Sequence, residues 1–188
     1  MRRWGFLLVF WILALPLFSK HIVGGELTYR YLFSNNGNPV YEIRMTVYRD
    51  CLPGNTPFDQ QIRISIHEAP NRFIQNLIID LGSSTVIPIT SYNPCIPPPN
   101  SGLCYDVTTY RKEVELPASA AGYHLSWERC CRNNTISNLQ DPGATGIILS
   151  AYIPPTAQIN SSPNFSGFPP TFLCLGDTFE FNMPATDP

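Results

Sequence analysis

From residue 27 onward, apolar and polar side chains alternate with a period of two. Leu27, Tyr29, Tyr31 and Phe33 fall on one face of an extended segment, and Asn35-Asn36-Gly37-Asn38 follows with the Asn-Gly pair of a tight hairpin turn. Tyr41, Ile43, Met45 and Val47 then alternate with Glu42, Arg44 and Thr46, the pattern of a half-buried antiparallel strand, so the two segments are expected to form a hairpin. Ile62, Ile64 and Ile66 repeat the pattern against Arg63, Ser65 and His67, as do Tyr123, Leu125 and Trp127 against His124, Ser126 and Glu128. Residues 73–81, 85–90, 105–116 and 147–153 are further β-rich runs, and Phe179, Phe181 and Met183 make a last one. Turn signals such as Leu52-Pro53-Gly54-Asn55, Asn93-Pro94 and Asp141-Pro142-Gly143 separate them. Short strands at this density, without an amphipathic helix of two turns, predict an all-β chain: an antiparallel β-sandwich, Ig-like or related, with disulfide-stapled loops.

Composition narrows the class further. The 19 prolines among 188 residues are incompatible with a mostly helical chain, and 14% charged residues exclude a disordered charged tail. A net charge of −2 argues against a nucleic-acid binder. Met1-Arg2-Arg3, an uncharged run over residues 4–18 and the small residue Ser19 have the form of a secretory signal peptide over 1–19. Its removal would take away two arginines, leaving ten basic against fourteen acidic residues, and place the product outside the cell. No later stretch is long and apolar enough to span a bilayer, so no transmembrane segment is expected after cleavage. The expected organisation is a sandwich domain over 20–153, a proline-rich connection over 154–170, and a terminal strand over 171–188 that could open a truncated second β domain.

Six cysteines in an exported chain suggest three disulfides: Cys51, Cys95, Cys104, Cys130, Cys131 and Cys174 are the structural candidates. Cys95 and Cys104 flank a short turn-rich insert and are expected to pair. A bridge between adjacent cysteines would strain the peptide unit, so Cys130 and Cys131 are expected to take Cys51 and Cys174, in either order. A structural zinc site is the rival, without Cys-x-x-Cys or His-x-x-x-His spacing to support it.

Groups for catalysis are sparse. His21 adjoins the expected new N-terminus, while His67 and His124 fall on the polar phase of strands. His124, Ser126 and Glu128 share one strand face, but neighbours on that face stand about 7 Å apart, too far for a nucleophile–base hydrogen bond. Asp50 and Asp59 are the carboxylates considered for acid–base work. Gly24-Gly25 reads as a bulge near a strand start. The tripeptides beginning at Asn133, Asn160 and Asn164 match the N-glycosylation pattern and fall in stretches read as exposed loop.

Several longer phrases are more specific: His21-Ile22-Val23-Gly24-Gly25-Glu26-Leu27-Thr28-Tyr29, Val47-Tyr48-Arg49-Asp50-Cys51, Trp127-Glu128-Arg129-Cys130-Cys131-Arg132-Asn133, Tyr152-Ile153-Pro154, Asn160-Ser161-Ser162-Pro163-Asn164-Phe165 and Ala185-Thr186-Asp187. In this order, across residues 21–187, the chain resembles the N-terminal module of large secreted surface proteins of Bacteroidetes-type bacteria, those described as gliding-motility-associated or PKD-domain-containing. The resemblance implies a β-rich head preceding sandwich repeats and a C-terminal sorting domain for type IX secretion and surface attachment, with no catalytic residues to carry over. It also implies continuation after Asp187 into an acidic calcium-binding run. Only Asp187 of that run is present, so no complete calcium site and no other cofactor is expected, and the chain reads as a fragment of a longer protein.

These features together suggest a non-catalytic, secreted or cell-surface module for adhesion or surface architecture, with a surface glycan or another cell-surface protein as partner and no nucleic acid. Two alternatives stand beside it: a carbohydrate-binding module using Trp127, Tyr29, Tyr31 and Tyr123, and a secreted hydrolase using His124, Glu128 and a further carboxylate.

Overall fold

The computed structural model describes residues 22–52, 56–87, 104–165, 175, 176, 178, 180, 182 and 185–188. Ten strands run through them: β1 (Ile22–Asn35), β2 (Asn38–Asp50), β3 (Gln61–Glu68), β4 (Arg72–Asp80), β5 (Ser84–Val86), β6 (Tyr105–Glu115), β7 (Tyr123–Arg129), β8 (Ile147–Ile153), β9 (Asn164–Phe165) and β10 (Ala185–Thr186). A single turn of 3-10 helix, Pro142–Ala144, precedes β8. Two four-stranded antiparallel sheets, ordered β1-β2-β6-β5 and β4-β3-β7-β8, pack as a sandwich, and β9 and β10 form a separate small pair. The expected all-β sandwich is the observed fold. The strand expected around Phe179, Phe181 and Met183 lies outside the described residues.

The period-two pattern explains the layering. Tyr41, Ile43, Met45 and Val47 on β2, Ile62, Ile64 and Ile66 on β3, and Tyr123, Leu125 and Trp127 on β7 all point between the sheets and are buried. The hairpin at Asn36-Gly37 also forms: both residues have positive φ, 49° and 88°, as a two-residue hairpin turn requires. In β1 the pairing slips between Tyr31 and Phe33, and Phe33 turns out to solvent while Leu27 and Tyr29 stay in the core. A second slip, between Ile22 and Gly24, is the irregularity that Gly24-Gly25 suggested.

Burying tyrosines brings hydroxyls into the core, and each needs a partner. Tyr110 donates to the Asp59 carbonyl at 2.7 Å and Tyr123 to the Pro117 carbonyl at 2.6 Å. Tyr29 and Tyr41 meet edge to face with ring centres 5.8 Å apart. Desolvation, reinforced by the neighbouring tyrosines, pushes the Tyr41 hydroxyl up to about 12.

The chain after β8 stays with the sandwich. Thr156 and Ser119 bond reciprocally, and Ser162 donates its N–H to the Tyr29 carbonyl at 2.8 Å. The outward N–H groups of Tyr29 and Tyr31 are in turn accepted by the hydroxyls of Ser162 and Ser161, at 3.0 and 3.1 Å. An exposed row of strand-edge donors is thereby occupied by side chains of the same molecule.

Candidate functional site

Three regions concentrate polar chemistry, and the first is the disulfide end of the sandwich. Asp50 of β2 lies opposite Tyr105 of β6, so Cys51 and Cys104 stand in the next register position. Their Cα atoms are 5.0 Å apart, the Cys51 N–H donates to the Cys104 carbonyl, and the two residues form a disulfide. The expected Cys95–Cys104 bridge is therefore incorrect. Closeness along the chain suggested it, whereas the β2–β6 ladder brings together residues 53 apart. The expectation for Cys130 and Cys131 is also overturned, because they are bonded to each other. The chain accommodates this where it turns out of β7: Cys131 adopts φ of 97°, and the next N–H, of Arg132, is held by the Pro142 and Thr145 carbonyls. Cys95 and Cys174 lie outside the described residues.

Beside these bridges Arg49 and Asn133 are paired with carboxylates. Arg49 forks onto Asp106, donates to the Thr56 carbonyl at 2.8 Å and lies 4.9 Å over the Phe58 ring. The hydrogen bond to Asp106 raises the Arg49 pKa. Asn133 donates to Asp50 at 3.0 Å, while its side-chain oxygen accepts from the backbone and hydroxyl of Thr135 at 2.9 and 3.0 Å. Asn133 is 4% exposed and heads an Asx turn whose Asn134 and Thr135 are exposed, so the asparagine of the first glycosylation-like tripeptide is itself buried. Asn160 also departs from that reading: it is half-buried and accepts a hydrogen bond from the Tyr29 hydroxyl. Asn164 is exposed.

The second region is an open groove of about 610 Å³ between the edges of β1 and β8, bordered by residues 160–163, Phe165 and Asp187. Its ionisable carboxylates, Glu26 and Asp187, come from different walls, and Asp187 helps burial raise the Tyr29 pKa.

The third is the solvent face of the β4-β3-β7-β8 sheet, where the remaining catalytic candidates lie. His124, Ser126 and Glu128 do share one face of β7, spread along the strand. Opposite them stand Tyr152, Ser150 and Ile148 of β8. His67 faces His124 across the β3–β7 ladder. The two carboxylates considered for acid–base work have separate partners: Asp50 is held by Asn133 and the Leu52 N–H, and Asp59 by Arg129 at 2.8 Å. Among the described residues there is no group of three histidine, cysteine or acidic side chains arranged to hold a metal ion. His21 lies outside them. Of the aromatics considered for sugar stacking, Tyr29, Tyr123 and Trp127 belong to the core, and Tyr31 is packed half-buried against it. Their place on the apolar phase of alternating strands is the signal for that outcome.

The fold and site define an all-β, antiparallel, disulfide-bonded sandwich. In comparisons with known proteins, no family model, no curated protein and no solved structure matches the chain. Among the described residues no helix is long and apolar enough to cross a membrane.

Proposed function

We propose that the protein is a non-catalytic module of a secreted or cell-surface protein, exported by its N-terminal leader and serving adhesion or surface architecture. The observation that carries this reading is the Cys51–Cys104 bridge across the ends of paired strands, a covalent staple of the kind that persists in an oxidising compartment. The residues joined into the core, the paired charges beside the bridge and the serine-capped β1 edge support a rigid scaffold. The resemblance to gliding-motility-associated and PKD-domain surface proteins points the same way and adds type IX secretion as the route.

Beads coated with the exported, oxidised chain test the reading in a cell-adhesion assay. Adhesion above albumin-coated beads, lost after reduction and unfolding of the coat, is the expected result. No adhesion to any cell surface, or turnover of ester, peptide or glycoside substrates by the purified chain, would overturn it.

A further inference from the structure

The solvent face of the β4-β3-β7-β8 sheet is ordered in rows. Register places Phe73 of β4 opposite His67 of β3, His67 opposite His124 of β7, and His124 opposite Tyr152 of β8. A bulge between Ile66 and His67 brings Phe73 into step with this row. The rings associate in two pairs, Phe73 with His67 at 5.4 Å and His124 with Tyr152 at 4.8 Å. Phe73 is 55% and Tyr152 44% exposed, so the row is not an outlying part of the core.

The next row along the same face is of another chemistry. It runs Asn76, Ser65, Ser126, Ser150, one polar uncharged group per strand. Ser65 donates to the side-chain oxygen of the exposed Asn76 at 3.2 Å, a bond that does not use the Asn76 amide nitrogen, itself a donor. Neither row contains an acid, a lysine or an arginine.

We propose that these two rows form a binding platform for a neutral, linear polysaccharide, a site that deepens the adhesive reading above and rests on it. A pyranose ring presents an apolar C–H face and an equatorial rim of hydroxyls. The electron-rich faces of aromatic rings attract the first, and a neighbouring row of hydroxyls and an amide hydrogen-bonds the second. With four strands about 4.8 Å apart the row extends about 14 Å, the reach of several sugars and not one. It runs across all four strands, from the β4 edge to the β8 edge, where Tyr152 and Ser150 also line the open groove beside β1, and this length suits a chain passing across the sheet better than a capped terminal sugar. The absence of an acid, a lysine or an arginine from both rows favours a neutral chain over an acidic one.

Affinity electrophoresis of the exported full-length chain tests the site, with hydroxyethylcellulose, glucomannan and mixed-linkage β-glucan as neutral linear probes, polygalacturonate as a charged one, and a high-mannose glycoprotein as a branched source. Retardation by at least one neutral linear probe is expected. Phe73→Ala and Tyr152→Ala are each expected to weaken it about two- to twelvefold, the range of a single ring contact. Phe33→Ala, which removes an equally exposed ring from the other sheet, is expected to leave it unchanged. Unchanged circular dichroism and thermal midpoint in all three variants separate lost contacts from lost fold. The platform is overturned if no neutral linear probe retards the chain, if only the charged or branched probe does, or if Phe73→Ala and Tyr152→Ala bind like the parent. Coated beads that adhere to cells while every neutral probe fails would remove the platform and leave adhesion standing. Binding of a neutral probe by a chain whose beads adhere to nothing would do the reverse.

Discussion

Gly122, at the entry to β7, is where a single methyl group should cost the fold most. Its φ is 77°, in the left-handed region, and a Cβ there would sit 2.3 Å from the Ile153 carbonyl oxygen and 2.9 Å from the Pro154 carbonyl carbon. Both are backbone atoms, so no flexible side chain can swing away. The turn is also fixed on both sides: the Gly122 N–H donates to the Ser119 hydroxyl at 3.1 Å, and its carbonyl accepts from the Ala69 N–H at 3.0 Å. A left-handed alanine costs about 1–2 kcal/mol and overpacking about 1–3 kcal/mol, so Gly122→Ala should lose about 2–5 kcal/mol. At about 3 °C per kcal/mol for a domain of this size, the melting midpoint should fall by about 6–15 °C. Two other glycines calibrate the measurement. Gly37 has φ of 88° but open space around its Cβ position, so Gly37→Ala should cost only the conformational term, about 1–2 kcal/mol. Gly24 has neither a positive φ nor a neighbour within 4 Å, so Gly24→Ala should be neutral or slightly stabilising. Urea denaturation of the oxidised protein, read by tryptophan fluorescence, gives all three values. If Gly122→Ala costs no more than Gly37→Ala, the contact with Ile153 and Pro154 is relieved freely and the close approach of the two chain segments has no weight.

Three further outcomes are expected. Trypsin cutting after Arg129 and Arg132 should release Cys130-Cys131-Arg132 from non-reduced protein as a tripeptide two hydrogens lighter than the dithiol form; a partner peptide attached to it would refute the adjacent bridge. Asn133→Ala removes a buried donor to Asp50 and the acceptor for Thr135, and should lower stability by about 1–3 kcal/mol in urea titrations, with Asn133→Asp worse at neutral pH than in mild acid because it sets a second carboxylate against Asp50. Alkaline unfolding should follow the buried tyrosines. The Tyr41 pKa is raised to about 12 in the folded state against about 10 in an unfolded chain, so the folded state retains its proton longer and the stability is complete below about pH 10 and lost as pH rises toward 12. Stability that stayed level across that window would contradict the burial assigned to this hydroxyl.

The alternation of side chains by itself determined most of the architecture. A strand with one buried face needs only local information, and Ile62-Arg63-Ile64-Ser65-Ile66-His67 states which side faces the core wherever the partner strand lies. The Asn36-Gly37 turn is local in the same sense. Disulfide pairing is not, because it depends on which strand ends the sheets bring together: Cys51 meets Cys104 through the β2–β6 ladder, at a separation no spacing rule discloses. The Asn-x-Thr motif at Asn133 looks the same whether its asparagine is exposed or buried, and only Asp50 arriving from β2 decides. The polar positions His67, Ser65, His124 and Ser126 could be assigned to the solvent side from alternation alone. That they stand abreast, with Phe73 and Tyr152 completing one row, follows from register and from a single bulge, which are properties of paired strands and not of any one of them.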